Sequence, residues 1–172
     1  MGFLDRFKTV ADQKLTPEDR EILRKYNEDT KKNNGKIIKN DNFEQIIGDI
    51  RSSFKPQKIT NEDHLQAQIT IFLQATYPGI TIEREVITSK GDKLDIFISR
   101  RYVLEVKVPQ NRTDLRNLTA QLEEYKEQYP EICAIIFDDE SLNLSQVIKD
   151  YVAKYERKLG IKSIIISGKK RN

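Results

Sequence analysis

The stretch Leu94-Asp95-Ile96-Phe97-Ile98-Ser99-Arg100-Arg101-Tyr102-Val103-Leu104-Glu105-Val106-Lys107-Val108 decides the fold of this chain. Both halves alternate with period two, the pattern of a β-strand with two unlike faces. In the first half Leu94, Ile96 and Ile98 share a face and leave Asp95 with Phe97 on the other. In the second half Tyr102, Leu104, Val106 and Val108 leave Val103, Glu105 and Lys107 together. Ser99-Arg100-Arg101 is short enough to be a hairpin turn. As a three-residue loop it pairs position 98 with 102, which sets Asp95 opposite Glu105 with Lys107 one step further along the same face.

Two carboxylates facing each other across a ladder repel, and partial burial raises the cost unless a cation compensates them. A divalent metal is such a cation. Mg²⁺ favours one or two carboxylates, keeps several waters and takes substrate phosphate into its shell, and a neighbouring ammonium can orient or deprotonate a water. That chemistry suits phosphodiester hydrolysis. Asp95 followed after nine residues by Glu105-Val106-Lys107 resembles the D…(D/E)xK signature of the PD-(D/E)XK nuclease superfamily, with Leu94 where the family carries proline. The other reading of the same residues is a solvated hairpin face.

Residues Thr60 to Thr76 read as a helix, with Leu65, Ile69, Phe72 and Leu73 at helical spacing and Thr60 or Asn61 as N-cap. Glu62 falls on that apolar face, where it points toward the sheet; as a helix-start acid it also suits the macrodipole. The resemblance implies that Glu62 completes the metal site, with Gln66 one turn on as the alternative. From Thr113 to Tyr129 a second amphipathic helix carries Leu115, Leu118, Leu122, Tyr125 and Tyr129 and stops at Pro130. Its Gln121 and Tyr125 resemble the QxxxY motif of the RecB-type branch, and the resemblance implies that they stand beside the metal and the phosphodiester.

Ile132 to Phe137 is a strand-length apolar run, followed by a helix near Asn143 to Leu159 and a strand at Ile161 to Ile166; upstream, Ile80 to Thr88 alternates as a strand. The expected fold is therefore α/β: a mixed central sheet flanked by helices. The order matches the α-β-β-β-α-β core of the restriction-endonuclease-like fold with one added helix-strand unit, over residues 59–172, preceded by a helical extension over residues 1–58. In that extension Thr16-Pro17-Glu18-Asp19 starts one helix. Asp41-Asn42-Phe43-Glu44 starts another, with Phe43, Ile46, Ile47, Ile50 and Phe54 on one face, and Phe3, Leu4, Phe7 and Val10 form a short amphipathic start.

At 172 residues the chain suffices for a full core, burying roughly two thirds of its unfolded surface. It has no 18-residue apolar run, so a transmembrane segment is not expected, nor is a secretory leader, and a cytoplasmic protein is. A lone cysteine, Cys133, excludes an internal disulfide and a four-cysteine cluster, and a lone histidine, His64, excludes a histidine-rich zinc site. The net charge of +3 comes from residues 1–58, which hold 13 Lys and Arg against 10 Asp and Glu; residues 59–172 hold 17 of each. Nucleic-acid affinity must then come from local patches: Arg100 and Arg101 at the hairpin tip, Arg112, Arg116 and Lys126 on the QxxxY helix, and Lys169-Lys170-Arg171. Phosphate contacts are expected rather than base reading.

Taken with the resemblance, these features imply a Mg²⁺- or Mn²⁺-dependent deoxyribonuclease acting in DNA processing, repair, recombination or restriction. Asp95, Glu105, Glu62 and the Val106 carbonyl would hold the metal, Lys107 would act on the water, and Gln121 and Tyr125 would steady the phosphodiester. DNA is a more natural partner than RNA, and a homodimer stays open. The alternative is a catalytically silent nucleic-acid-binding or assembly module on the same fold.

Overall fold

The computed structural model of the chain describes residues 42–89 and 91–169. The expected helix from Thr16, the amphipathic start at Phe3 to Val10, and Lys170 and Arg171 lie outside them. Helix α1, Phe43–Ser53, begins where the Asn42 side chain accepts the Glu44 N–H at 3.0 Å, and ends as the chain extends ahead of Pro56. Its Phe43, Ile46, Ile47 and Ile50 are buried. Helix α2, Glu62–Thr76, is capped by Asn61, whose side chain accepts the His64 N–H at 2.8 Å, and buries Leu65, Ile69 and Leu73 completely.

Five strands follow in one sheet: β1 Ile82–Ile87, β2 Lys93–Ile98, β3 Tyr102–Lys107, β4 Glu131–Asp139 and β5 Lys162–Gly168, side by side in chain order. The pairs β1–β2 and β2–β3 are antiparallel, β3–β4 and β4–β5 parallel. Parallel neighbours need a crossover, and helices supply both. Helix α3, Arg112–Lys126, opens with a capping box in which Asn111 accepts backbone N–H groups and Asp114 reaches back. Helix α4, Ser145–Lys154, runs on through a π-helical turn at Tyr155–Leu159 that ends on Gly160 at φ 65. That turn swings Tyr155 under α3, where its hydroxyl donates to the Leu115 carbonyl at 3.0 Å.

The sheet has two dry faces. Helices α1 and α2 cover Ile96, Ile98, Tyr102, Leu104, Val106, Cys133, Ile135 and Phe137, whereas α3 and α4 cover Val103, Ile132, Ala134 and Ile136. The expected α/β class, a mixed sheet flanked by helices, is the observed one. Residues 42–58 belong to the same core as the rest, because α1 packs directly on the sheet through Phe43, stacked on Tyr102 at 5.0 Å between ring centroids. Cys133 is fully buried, and its thiol pKa is pushed up to about 12 by that burial. No helix among the described residues is long and apolar enough to cross a membrane.

The hairpin has the three-residue loop, with Ile98 paired to Tyr102, Phe97 to Val103 and Ile96 to Leu104. One expectation about its faces does not hold. Leu94 does not share the face of Ile96 and Ile98; it packs with Leu122 and Tyr125 on the α3 side. The β1–β2 pairing keeps Arg84 opposite Ile96 and Val86 opposite Leu94 but skips the rung between them, where Glu85 stands at φ 51. Such a kink in an edge strand re-aims the side chains beside it, and it coincides with the turnover of β2 at Asp95.

Candidate functional site

Asp95 and Glu105 sit where the β2–β3 ladder comes apart. The last paired rung is Ile96 with Leu104. Beyond it the Val106 N–H donates to the Asp95 carboxylate at 2.8 Å, so a side chain occupies the place a backbone carbonyl would have in a continuing ladder. Both acids are buried, Asp95 to 8% and Glu105 to 3% of full exposure, and one Glu105 oxygen, Oε2, has no hydrogen-bond partner. Burial is the main cause that lifts Glu105 to about 9, and the neighbouring Asp95 charge adds to it. Asp95 is lifted to about 6, again by burial first, against the pull of the Val106 N–H. Two acceptors this dry and this close cannot both hold a negative charge without a compensating cation.

Lys107 and Glu62 form the second half of the site. The Lys107 ammonium lies 3.1 Å from Glu62 Oε2, and that carboxylate also accepts the Val108 N–H at 3.3 Å. Glu62 therefore ties the start of α2 to the end of β3. Its charge and that of Lys107 both act on Asp95 and Glu105, which brings all four sequence-selected groups into one neighbourhood. Glu62 is nonetheless engaged with cations and amides rather than gathered with the other two acids. Among the described residues no three or more His, Cys, Asp or Glu side chains form a group able to hold a metal.

Asp95 and Glu105 fit a small hard cation as a pair of carboxylates, the number Mg²⁺ takes when waters and a phosphate fill the remaining positions. The unpartnered Glu105 Oε2 is the observation behind that fit. His64 is engaged elsewhere, between the Thr60 hydroxyl at 3.3 Å and the Gln68 amide at 3.2 Å. Gln66, the alternative to Glu62, is buried one turn on, and its Oε1 has no partner.

Tyr125 is buried, and its hydroxyl donates to the Lys93 carbonyl at 3.1 Å. Burial first, then the charges of Glu105, Asp92 and Asp95, raise its pKa, so the ring stands near both acids. Its hydroxyl is thus spent on the backbone of β2 rather than offered to a ligand. Gln121 lies one turn earlier, half-buried at the edge of the stripe formed by Leu118 and Leu122.

The structure separates the basic residues. Arg100 pairs with Glu83 at 3.4 Å; Arg101 pairs with Glu131 at 3.6 Å and stacks over the Tyr102 ring. Both sit at the hairpin tip, beyond the three strand residues that separate it from Asp95, roughly 10 Å away. Arg112 and Arg116 are exposed on the first turns of α3, and Lys126 on its last. One more cation, Arg84, lies closer in the strand register. Arg84 is opposite Ile96, next to Asp95, and its guanidinium donates at 3.2 Å to the Asp63 carbonyl beside Glu62. Only the rung register and the docking of α2 on β1 reveal it, because the Glu83-Arg84-Glu85 run reads as a mixed-charge edge strand.

A family match covers residues 36–137, from ahead of α1 to within β4, and includes every residue of this site. The chain belongs to the family described as Domain of unknown function (DUF8371). Comparison with curated proteins and with solved structures returns no match. In this DUF8371 chain the matched segment holds both sides of the sheet opening, so the family unit includes α1 and the Asp95–Glu105 pair together.

Proposed function

We propose that this chain is a metal-dependent nuclease of the PD-(D/E)XK kind, with a restriction-endonuclease-like core, hydrolysing DNA phosphodiester bonds. The observation that carries the reading is the pair of buried acids that cannot both ionise without a cation, one oxygen unpartnered, beside a Lys–Glu pair at the opening of an antiparallel ladder. Asp95, Glu105 and the Val106 carbonyl are the groups that would hold Mg²⁺ or Mn²⁺. A cation bound there supplies charge stabilisation for the phosphate oxygens and makes a water more acidic.

The chain's own residues do the rest. Asp95 is fixed by the Val106 N–H, so its carboxylate keeps one orientation before substrate arrives. Glu62 holds the Lys107 ammonium at the mouth of the opening, where it can orient a water or meet a phosphate oxygen. Arg84 adds a second positive group on the β1 side, and Gln121 is the free amide on the α3 side. A silent nucleic-acid-binding module is the second reading, favoured by the engagement of Glu62 away from the other two acids.

One experiment divides the two. Purified chain is incubated with single-stranded, duplex and branched DNA in Mg²⁺, Mn²⁺ or EDTA, beside Glu105→Ala. Metal-dependent cleavage that Glu105→Ala abolishes, with DNA affinity in EDTA equal or higher, is the expected result. Binding without cleavage in any metal favours the silent module, and cleavage retained by Glu105→Ala excludes the proposed site.

A further inference from the structure

The end of α3 and the residues just after it hold β2 and its approach at three points. The Tyr125 hydroxyl donates to the Lys93 carbonyl at 3.1 Å, Gln128 Nε2 reaches Asp92 Oδ2 at 3.4 Å, and the Tyr129 ring meets Phe97 edge-on at 5.6 Å. Between the grips at 93 and 97 lies Leu94, fully buried on the α3 face although its parity with Ile96 and Ile98 would place it on the other. One residue further on is Asp95, whose carboxylate has taken the Val106 N–H.

We infer that Tyr125 is a positioning residue for Asp95: by holding the Lys93 carbonyl, its hydroxyl keeps β2 turned toward α3 and out of the β3 ladder, so that the Asp95 carboxylate replaces the missing rung at Val106. The reasoning is a competition for one donor. If β2 closed onto β3 in register, Leu94 would face Val106 and its backbone carbonyl would compete for the Val106 N–H; Asp95 would then be displaced from it. Leu94 packing alone does not fix the backbone there, because a leucine can swing without moving its neighbours' carbonyls. A hydrogen bond to the Lys93 carbonyl does fix it, two residues from the carboxylate in question. Tyrosine suits this role, because its ring packs with Leu94, Leu118 and Leu122 while its hydroxyl reaches past them. What Asp95 then does with its second oxygen rests on the nuclease reading; the geometry of the rung does not.

The test is Tyr125→Phe in the full chain, which keeps the ring and removes the bond. The amide proton shift of Val106 should move toward its value in Asp95→Ala, while the Ile135 amide in β4 keeps its shift. Mn²⁺ affinity, measured by calorimetry, should fall by about tenfold. Gln128→Ala, which removes the bond to Asp92 just past α3 without opening the core, should move Val106 in the same direction by less. A Val106 amide that stays in place in both variants overturns the inference, as does a shift spread equally over Val106 and Ile135, because that would make Tyr125 a packing residue. If wild-type protein takes up no Mn²⁺ and cleaves no DNA, the nuclease reading falls, and the Val106 resonance still decides the positioning role.

Discussion

Glu105 holds its proton far above the ordinary carboxylate range, and that has a measurable cost for the folded chain. Both Glu105, near 9, and Asp95, near 6, bind protons more tightly folded than unfolded. The folded state therefore loses stability as pH rises from the ordinary range through these raised values. The melting temperature should fall from about pH 5 to about pH 9, and Glu105→Gln should remove most of that slope and raise the melting temperature at the alkaline end. On the nuclease reading, Mg²⁺ should restore the alkaline loss in wild type and not in Glu105→Gln. A wild-type melting curve flat across this range would contradict the burial argument. Arg84 carries a second prediction at this scale. On the nuclease reading, Arg84→Ala should weaken DNA binding and lower the slope of log affinity against log salt by about one, whereas Arg100→Ala, paired with Glu83 at the far tip, should leave both unchanged.

The hairpin shows how local chemistry and tertiary packing divide the work within an element. Ser99 at φ 52 and Arg100 at φ 54 are both left-handed, and Arg101 N–H donates to the Ile98 carbonyl at 3.0 Å, the geometry of a type I′ turn with Arg101 as an extra residue. Neither serine nor arginine is at ease there. Ser99→Asn combined with Arg100→Gly should stabilise the protein by about 1 kcal/mol, seen as a rise of several degrees in melting temperature without loss of whatever activity the site has. A fall would mean that the arginine's link to Glu83 outweighs the backbone strain. The sequence offered the three-residue loop only as a condition, and the pairing of Ile98 with Tyr102 settles it. The turnover of Leu94 was not legible there, because it goes with Glu85 in the neighbouring strand and with a helix thirty residues later.

For the whole molecule, α1 is an integral layer of the core. Ile46, Ile47 and Ile50 are each at most 2% exposed and lie in one apolar cluster with Leu65, Ile96 and Leu104. Ile47→Ala should therefore cost about 2–4 kcal/mol in chemical denaturation, as a core deletion does, with a single transition for the whole chain. Two separate transitions, the first sensitive to this change and the second not, would mark α1 as an independent extension. The match over residues 36–137 likewise runs through residue 58 without a break.

Period-two alternation, the helical spacing of Leu65, Ile69 and Leu73, and the caps at Asn42 and Asn61 determined the elements, because each depends on residues within a few positions of one another. That Asp95 and Glu105 stand near one another was legible in the same way, from strand parity and a short loop. Only the tertiary structure decided that the ladder opens at that pair, that Glu62 engages Lys107 and Val108, that the Tyr125 hydroxyl goes to Lys93, and that Arg84 flanks the site. Each of those is a competition for one donor or acceptor among groups far apart in the chain. Its outcome depends on distances that only the packed sheet and helices set.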